Sequence, residues 1–153
     1  MVRCEVRISE APLQLATLLE GLAECDPDSG AVASFLGQVR AGEGLTGLEL
    51  EHYPGVTENM LTRLAQDAAS RWPLSRAIVV HRVGLMSVGE PIVFVGTAAP
   101  HRRAALEAVE FMIDVLKTQA PFWKKEHTVE GERWIEPRPE DHGAASYWLE
   151  NKE

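Results

Sequence analysis

AAPHRRAALEAVEFMIDVLKTQAPFWKKE, residues 98–126, is the stretch on which the reading of this chain turns. Ala105, Val109, Met112 and Leu116 recur at steps of four, three and four, so they build one apolar stripe of a helix. Glu107, Glu110, Asp114 and Lys117 recur at three, four and three and form another face. Pro100 before the start and Pro121 after the end fit the positions where helices begin and stop. Lys117 and Lys124 are seven residues apart, which in an unbroken helix is about 10 Å along the axis. Pro121 predicts a turn instead, and a turn can bring the two ammonium groups closer.

His101, Arg102 and Arg103 stand at one end of this segment and Lys117, Lys124 and Lys125 at the other, in a chain whose formal net charge is -8. A helix start favours anions, because free backbone N–H groups and the positive end of the dipole point outward there. A phosphate-bearing ligand is therefore expected. Spacing alone favours an ordinary account more strongly. Lys117 follows Asp114 by three residues and Glu110 by seven, as a solvated lysine paired along its helix would. Lys124 and Lys125 are equally well read as an exposed loop end.

Outward from this stretch, 153 residues make one domain, 1–153, large enough for a real core, with a tail from about residue 138 expected to be flexible. Hydrophobic content of 45% and charged content of 25% are those of a soluble globular protein. No run approaches a membrane span, and MVRCEVRISE alternates charges too early for a signal peptide, so a cytoplasmic protein is expected. An acidic chain without a basic, aromatic-interleaved tract is a poor nucleic-acid binder. Cys4 and Cys25 form no CxxC pair and read as buried or reduced structural thiols. The five histidines are dispersed, which disfavours a metal site.

Val2, Cys4, Val6 and Ile8 alternate with charged residues as a half-buried strand does. A helix is expected to start at Ser9 and to bury Leu15, Leu18, Leu19 and Leu22, before Asp26–Gly30 breaks it. AVASFLGQVR (31–40) reads as a strand, with Gly37 marking a bulge or close backbone approach and Arg40 at its end. After a glycine-rich loop, Leu48, Leu50 and His52 alternate as a third strand. Thr57 is the expected N-cap of a helix burying Met60, Leu61, Leu64, Ala65 and Ala68, which ends near Trp72. AIVVHRV (77–83) and IVFVGTA (92–98) are β-branched strands joined by a short antiparallel connection. After Lys125 a loop and a short strand at Arg133–Ile135 are expected. The order β-α-β-β-α-β-β-α predicts an α+β fold with helices packed on a mixed or antiparallel sheet, its strands not buried on both faces.

GAVASFLGQVR, LELEHYPGVTENML, RWPLSRAIVVHRVG, IVFVGTAAPHR and LKTQAPFWKKE, in that order between about Ser29 and Trp134, resemble the large, catalytic subunit of molybdopterin synthase. The resemblance implies a sulfurtransferase of molybdenum cofactor biosynthesis that acts on cyclic pyranopterin monophosphate and inserts two sulfurs to make the dithiolene of molybdopterin. It implies a small ubiquitin-like carrier, ending in a Gly-Gly thiocarboxylate, as sulfur donor. It also implies a homodimer of the large subunit within a heterotetramer, and no metal or organic cofactor. Carried over block by block, the pocket falls on Gln38, Val39, Arg40, His101, Arg102, Lys117, Lys124, Lys125 and Glu126, with Arg138 as a further basic position. Phe35 and Met112 match pocket-wall positions, although a strand aromatic and a helix-stripe methionine are more often core. The loop after Arg40 is shorter than in familiar members, and glutamine stands at 38 where lysine or threonine is commoner. Both departures touch the substrate rim.

These residue types suit that chemistry. Arg40 and Arg102 can fork onto phosphate oxygens, and His101 can add a hydrogen bond. The thiocarboxylate is itself the nucleophile, so the protein needs groups that stabilise developing negative charge and move protons. Lys117 is assigned as the principal acid/base group and Lys124 as its partner. Two alternatives use the same cluster: a non-catalytic phosphate- or nucleotide-binding module, and a scaffold whose lysines form a docking surface. The first predicts binding without turnover, and the second predicts that lysine variants lose the partner.

Overall fold

The structure, a computed structural model, describes residues 2–24, 26–42 and 44–135. One mixed sheet holds β1 (Arg3–Ser9), β2 (Ala31–Gln38), β4 (Arg76–Arg82) and β6 (Pro91–Ala99), in the order β1-β4-β6-β2. Its β1/β4 pair is parallel, and β4/β6 and β6/β2 are antiparallel. A second, antiparallel sheet holds β3 (Leu45–His52), β5 (Gly84–Ser87), β7 (Phe122–Thr128) and β8 (Gly131–Ile135), in the order β5-β3-β7-β8. The helices are α1 (Leu15–Leu22), α2 (Val56–Arg71) and α3 (Arg102–Gln119). The expected α+β class is thus observed, with two sheets where one was read.

The central strands of the mixed sheet, β4 and β6, are covered on both faces, which corrects the expectation of half-buried strands for them, while the edge strands β1 and β2 keep an exposed face. On one face α2 and α3 bury Leu61, Leu64, Ala65, Ala68, Ala105, Val109 and Met112 against Ala77, Val79, Val93 and Val95. On the other, Leu18 and Leu22 of α1 pack on Ile78, Val80 and Phe94. All seven residues of β4 are buried in consequence. The sequence already held the cue, because AIVV (77–80) is a continuous apolar run rather than an alternating one.

α1 begins at Leu15, later than expected, because the Ser9 hydroxyl closes a local turn with Ala11 instead of capping a helix. Leu18 and Leu22 of this two-turn helix are buried on the sheet with Leu15 packed beside them, and Leu19 is left exposed. Cys4, read as a buried or reduced thiol, is a free thiol exposed on the edge strand β1, and Cys25 lies outside the described residues. Gly37 does mark a bulge, since the β2/β6 register shifts between Gly37 and Gln38. β5 and β7 were read as a connection and a loop. β5 has four residues, and β7 carries polar residues on both faces. β7 is held by pairing with β3 on one side and β8 on the other, which no local pattern announces.

α2 is capped by Gly55, not Thr57. Gly55 takes φ 84°, and its N–H donates to the Glu58 carboxylate at 2.8 Å. A hydrogen bond from its own backbone N–H, and then the one from Gly55, hold the Glu58 carboxyl below its ordinary pKa. Thr57 is fully buried in the first turn. Its hydroxyl accepts from the Tyr53 N–H and donates to the Pro121 carbonyl, both at 3.0 Å. This threonine therefore ties the start of α2 to the turn that follows α3.

Candidate active site where helix α3 meets the second sheet

Lys117 lies in the last turn of α3. The helix stops because Ala120, the residue before Pro121, is driven to the extended region, φ -70° and ψ 128°. The chain reverses through Pro121 into β7, where Phe122 lies opposite His52 and Lys124 opposite Leu50 and Ile135. Alternation along β7 then puts Phe122 and Lys124 on one face and Trp123 and Lys125 on the other. The first face closes on the end of α3 and on β4, around a cavity of about 50 Å³ lined by His81, Leu116, Lys117, Thr118, Ala120, Phe122, Lys124 and Ile135. Both lysines are half-buried there. The turn expected at Pro121 thus places Lys117 and Lys124 on a single cavity.

His81 is the functional candidate that sequence reading missed. It is buried in β4, stacked on the Phe122 ring at 3.9 Å between centroids and 23° between planes. Its Nδ1 is 2.9 Å from the Arg82 carbonyl oxygen, and a carbonyl can only accept. Nδ1 therefore carries the proton, and Nε2 of the neutral ring is an acceptor. Burial above all, together with the positive charges of Lys117, Lys124 and His52, lowers its pKa to about 3, against the bond to Arg82, which raises it. At neutral pH this is an uncharged imidazole beside two amines. A histidine directly after the apolar run Ala77–Val80 was the available signal, because such a residue must find partners once buried.

The remaining residues expected at the site are dispersed. Arg40 is exposed just past β2, at the same end of the mixed sheet as His81, since Gly37 and His81 both lie opposite Val93. Val39 is buried with Leu48, Leu50 and Met86, and the Gln38 amide donates to the Gly89 carbonyl at 3.3 Å. His101 and Arg102 are exposed at the other end of α3, where Ala31 pairs with Ala99. Fifteen residues of helix separate Arg102 from Lys117, about 22 Å. One chain therefore does not bring Arg40, His101 and Arg102 onto a common phosphate.

Lys125 points to the opposite face of the second sheet from Lys124. It pairs there with Glu132 at 3.5 Å and lies over the Trp134 ring at 4.6 Å. Glu126 accepts from Arg133 Nε at 2.7 Å. Met112 is fully buried, Phe35 packs against the same core cluster, and neither lines the cavity. Arg138 lies outside the described residues. Among the described residues no group of three His, Cys, Asp or Glu side chains could hold a metal ion. No described helix is long and apolar enough to cross a membrane.

Fold and cavity together define an α+β protein whose polar centre is a lysine pair on a neutral imidazole, at the handover from the mixed sheet to the second one. Residues 8–119 match the model of the MoaE protein family. The molybdopterin synthase catalytic subunit of Yersinia pestis is 49% identical over 151 residues, 97% of this chain and 99% of that one. Among solved structures, the molybdopterin biosynthesis MoaE protein of Burkholderia ambifaria superposes with a TM-score of 0.82 at 41% identity, over 97% of this chain and 99% of its own. At the level of fold alone, a Helicobacter pylori chain matches at 23% identity with a TM-score of 0.76, over 87% of this chain and 91% of its own. It was solved as a protein–protein complex of subunits 1 and 2 of molybdopterin-converting factor. The chain belongs to the MoaE protein family.

Proposed function

We propose that this chain is the catalytic subunit of a molybdopterin synthase. It transfers sulfur from the C-terminal thiocarboxylate of a small ubiquitin-like carrier to cyclic pyranopterin monophosphate, forming the dithiolene. The single observation that supports this reading best is the presence of Lys117 and Lys124, from two different elements, on one cavity. The donor supplies its own nucleophile. What the protein must add is positive charge where negative charge develops, and a route for protons, and two half-buried ammonium groups meet both needs. A Gly-Gly tail has no side chains, so it can enter a cavity this narrow.

The phosphate cradle in this reading is shared. Arg40 stands at the lysine end of its own chain, and His101 and Arg102 come from a second copy. The separation of about 22 Å along α3 between Arg102 and Lys117 supports a cradle shared between two chains. The dimer that the resemblance implies fits this arrangement.

The test mixes the purified chain, thiocarboxylated carrier and cyclic pyranopterin, and looks for the dithiolene product by mass spectrometry. Lys117→Ala should lower turnover by about 10²–10⁴-fold with an unchanged melting temperature. Binding of the pyranopterin without any product from the unmodified chain would favour a phosphate-binding module instead.

A further inference from the structure

His81 enters neither the sulfur chemistry nor the phosphate cradle just described, yet it forms part of the wall of the lysine cavity. Three contacts fix its ring. The Arg82 carbonyl holds Nδ1, Phe122 covers one face, and burial in β4 leaves the ring almost no solvent. Nδ1 is committed to the main chain, so Nε2 is the acceptor of the neutral ring, and the ring lines the cavity. The titratable groups around it are Lys117 from α3, Lys124 from β7 and His52 from β3, with Glu58 of α2 4.0 Å from His52. An imidazolium in that company would repel both amines. A neutral acceptor can hold one of them.

We propose that His81 is a positioning residue of the lysine cavity, whose Nε2 accepts a hydrogen bond from the Lys117 ammonium and holds it toward Lys124 and the incoming thiocarboxylate. The inference rests on the proposed lysine chemistry and adds a residue to it. Its physical basis is that a long, flexible amine does little for a reaction unless aimed, and misplacement by about 1 Å can cost on the order of 10²-fold in rate. The rigid strand and the stack on Phe122 supply that aim.

Two substitutions divide the ring's functions. His81→Asn keeps a donor for the Arg82 carbonyl and has nothing at the position of Nε2. His81→Gln places an amide oxygen near that position. In the full assay with carrier and cyclic pyranopterin, His81→Asn should lose about 10²-fold in kcat, with KM for the pyranopterin changed by less than about threefold. His81→Gln should recover most of that loss, and both variants should remain folded by circular dichroism at the assay temperature. If the asparagine variant does not fold, His81→Phe, which keeps the stack on Phe122, replaces it with the same expected loss.

A folded variant without Nε2 that turns over at the normal rate would overturn the assignment. So would a glutamine variant as slow as the asparagine one. Lys117→Ala, run alongside, separates the two readings. If it is active, the lysine chemistry itself fails; if it is inactive while His81→Asn is normal, only the role of His81 falls.

Discussion

The two ends of α3 carry charge of the same sign and put it in different surroundings. At the start, His101, Arg102 and Arg103 are exposed, and the helix has no side-chain cap. At the end, Lys117 is half-buried, faces a cavity, and shares it with a second lysine and a buried imidazole. Charges in water are screened, and their interactions are worth little at distance. Charges withdrawn from water interact several times more strongly. The start of the helix is thus suited to holding an anion presented at a surface, and the end to acting on an atom brought inside. The same helix can serve one pocket with its end and a neighbour's pocket with its start.

That contrast can be broken in four ways. The largest of these four effects is expected at the helix start. Arg102→Ala should weaken substrate use by about 10–100-fold, the loss of a charge-assisted phosphate contact. Mixing Arg102→Ala with Lys117→Ala chains under subunit exchange should restore about a quarter of normal activity, since half of the dimers then hold one intact site out of two. No recovery in a mixture shown by native mass spectrometry to contain mixed dimers would put both ends of the helix in one chain's service.

Next comes Thr57→Val. It removes the buried hydroxyl joining the Tyr53 N–H to the Pro121 carbonyl and leaves both without that partner. It should cost about 1–3 kcal/mol, and in a domain of this size each kcal/mol lowers Tm by roughly 2–4 °C. Calorimetry reads the loss, and an unchanged Tm would mean that the turn between the lysines is held by other contacts.

A third effect concerns acid. In the fold His81 stays neutral down to about pH 3, whereas an unperturbed histidine takes up its proton near 6.5. Between those values the unfolded chain binds more protons, so this contribution to stability is complete above about pH 6.5 and is lost as pH falls toward 3. Urea midpoints for the unmodified chain should drop between pH 7 and pH 4.5 by more than those of His81→Gln. Parallel curves would show that the ring titrates normally.

The smallest effect is expected from Arg103→Ala. Its pairing with Glu107 is an exposed contact at 4.0 Å, worth no more than about 0.5 kcal/mol. Stability and activity should both be unchanged. A large loss of activity would move the phosphate contact from Arg102 to Arg103.

Much of this fold was legible because its signals are local. The stripe from Ala105 to Leu116, the stop at Pro121 and the bulge at Gly37 each depend on a few neighbouring residues, and the structure has all three. Thr57 misled for a related reason. Its type suits an N-cap, but burial under the Pro121 turn recruited its hydroxyl elsewhere. β7 was missed because FWKKEHT has no apolar face of its own, and its strand form comes from two neighbours. His81 was missed because a histidine among valines gives no sign of which amines will surround it.

By itself the sequence determined the elements whose stability lies in their own periodicity, the family to which they belong, and the types of residue able to do the chemistry. Only the tertiary structure decided which of those residues share a space. It put Lys117, Lys124 and His81 on one cavity and sent Lys125 to the far face. It also held Arg102 some 22 Å from Lys117 along the helix. The physical reason is that periodicity is set by bonds between near neighbours. Convergence depends on how strands from distant parts of the chain pair, and on which face each strand then turns inward.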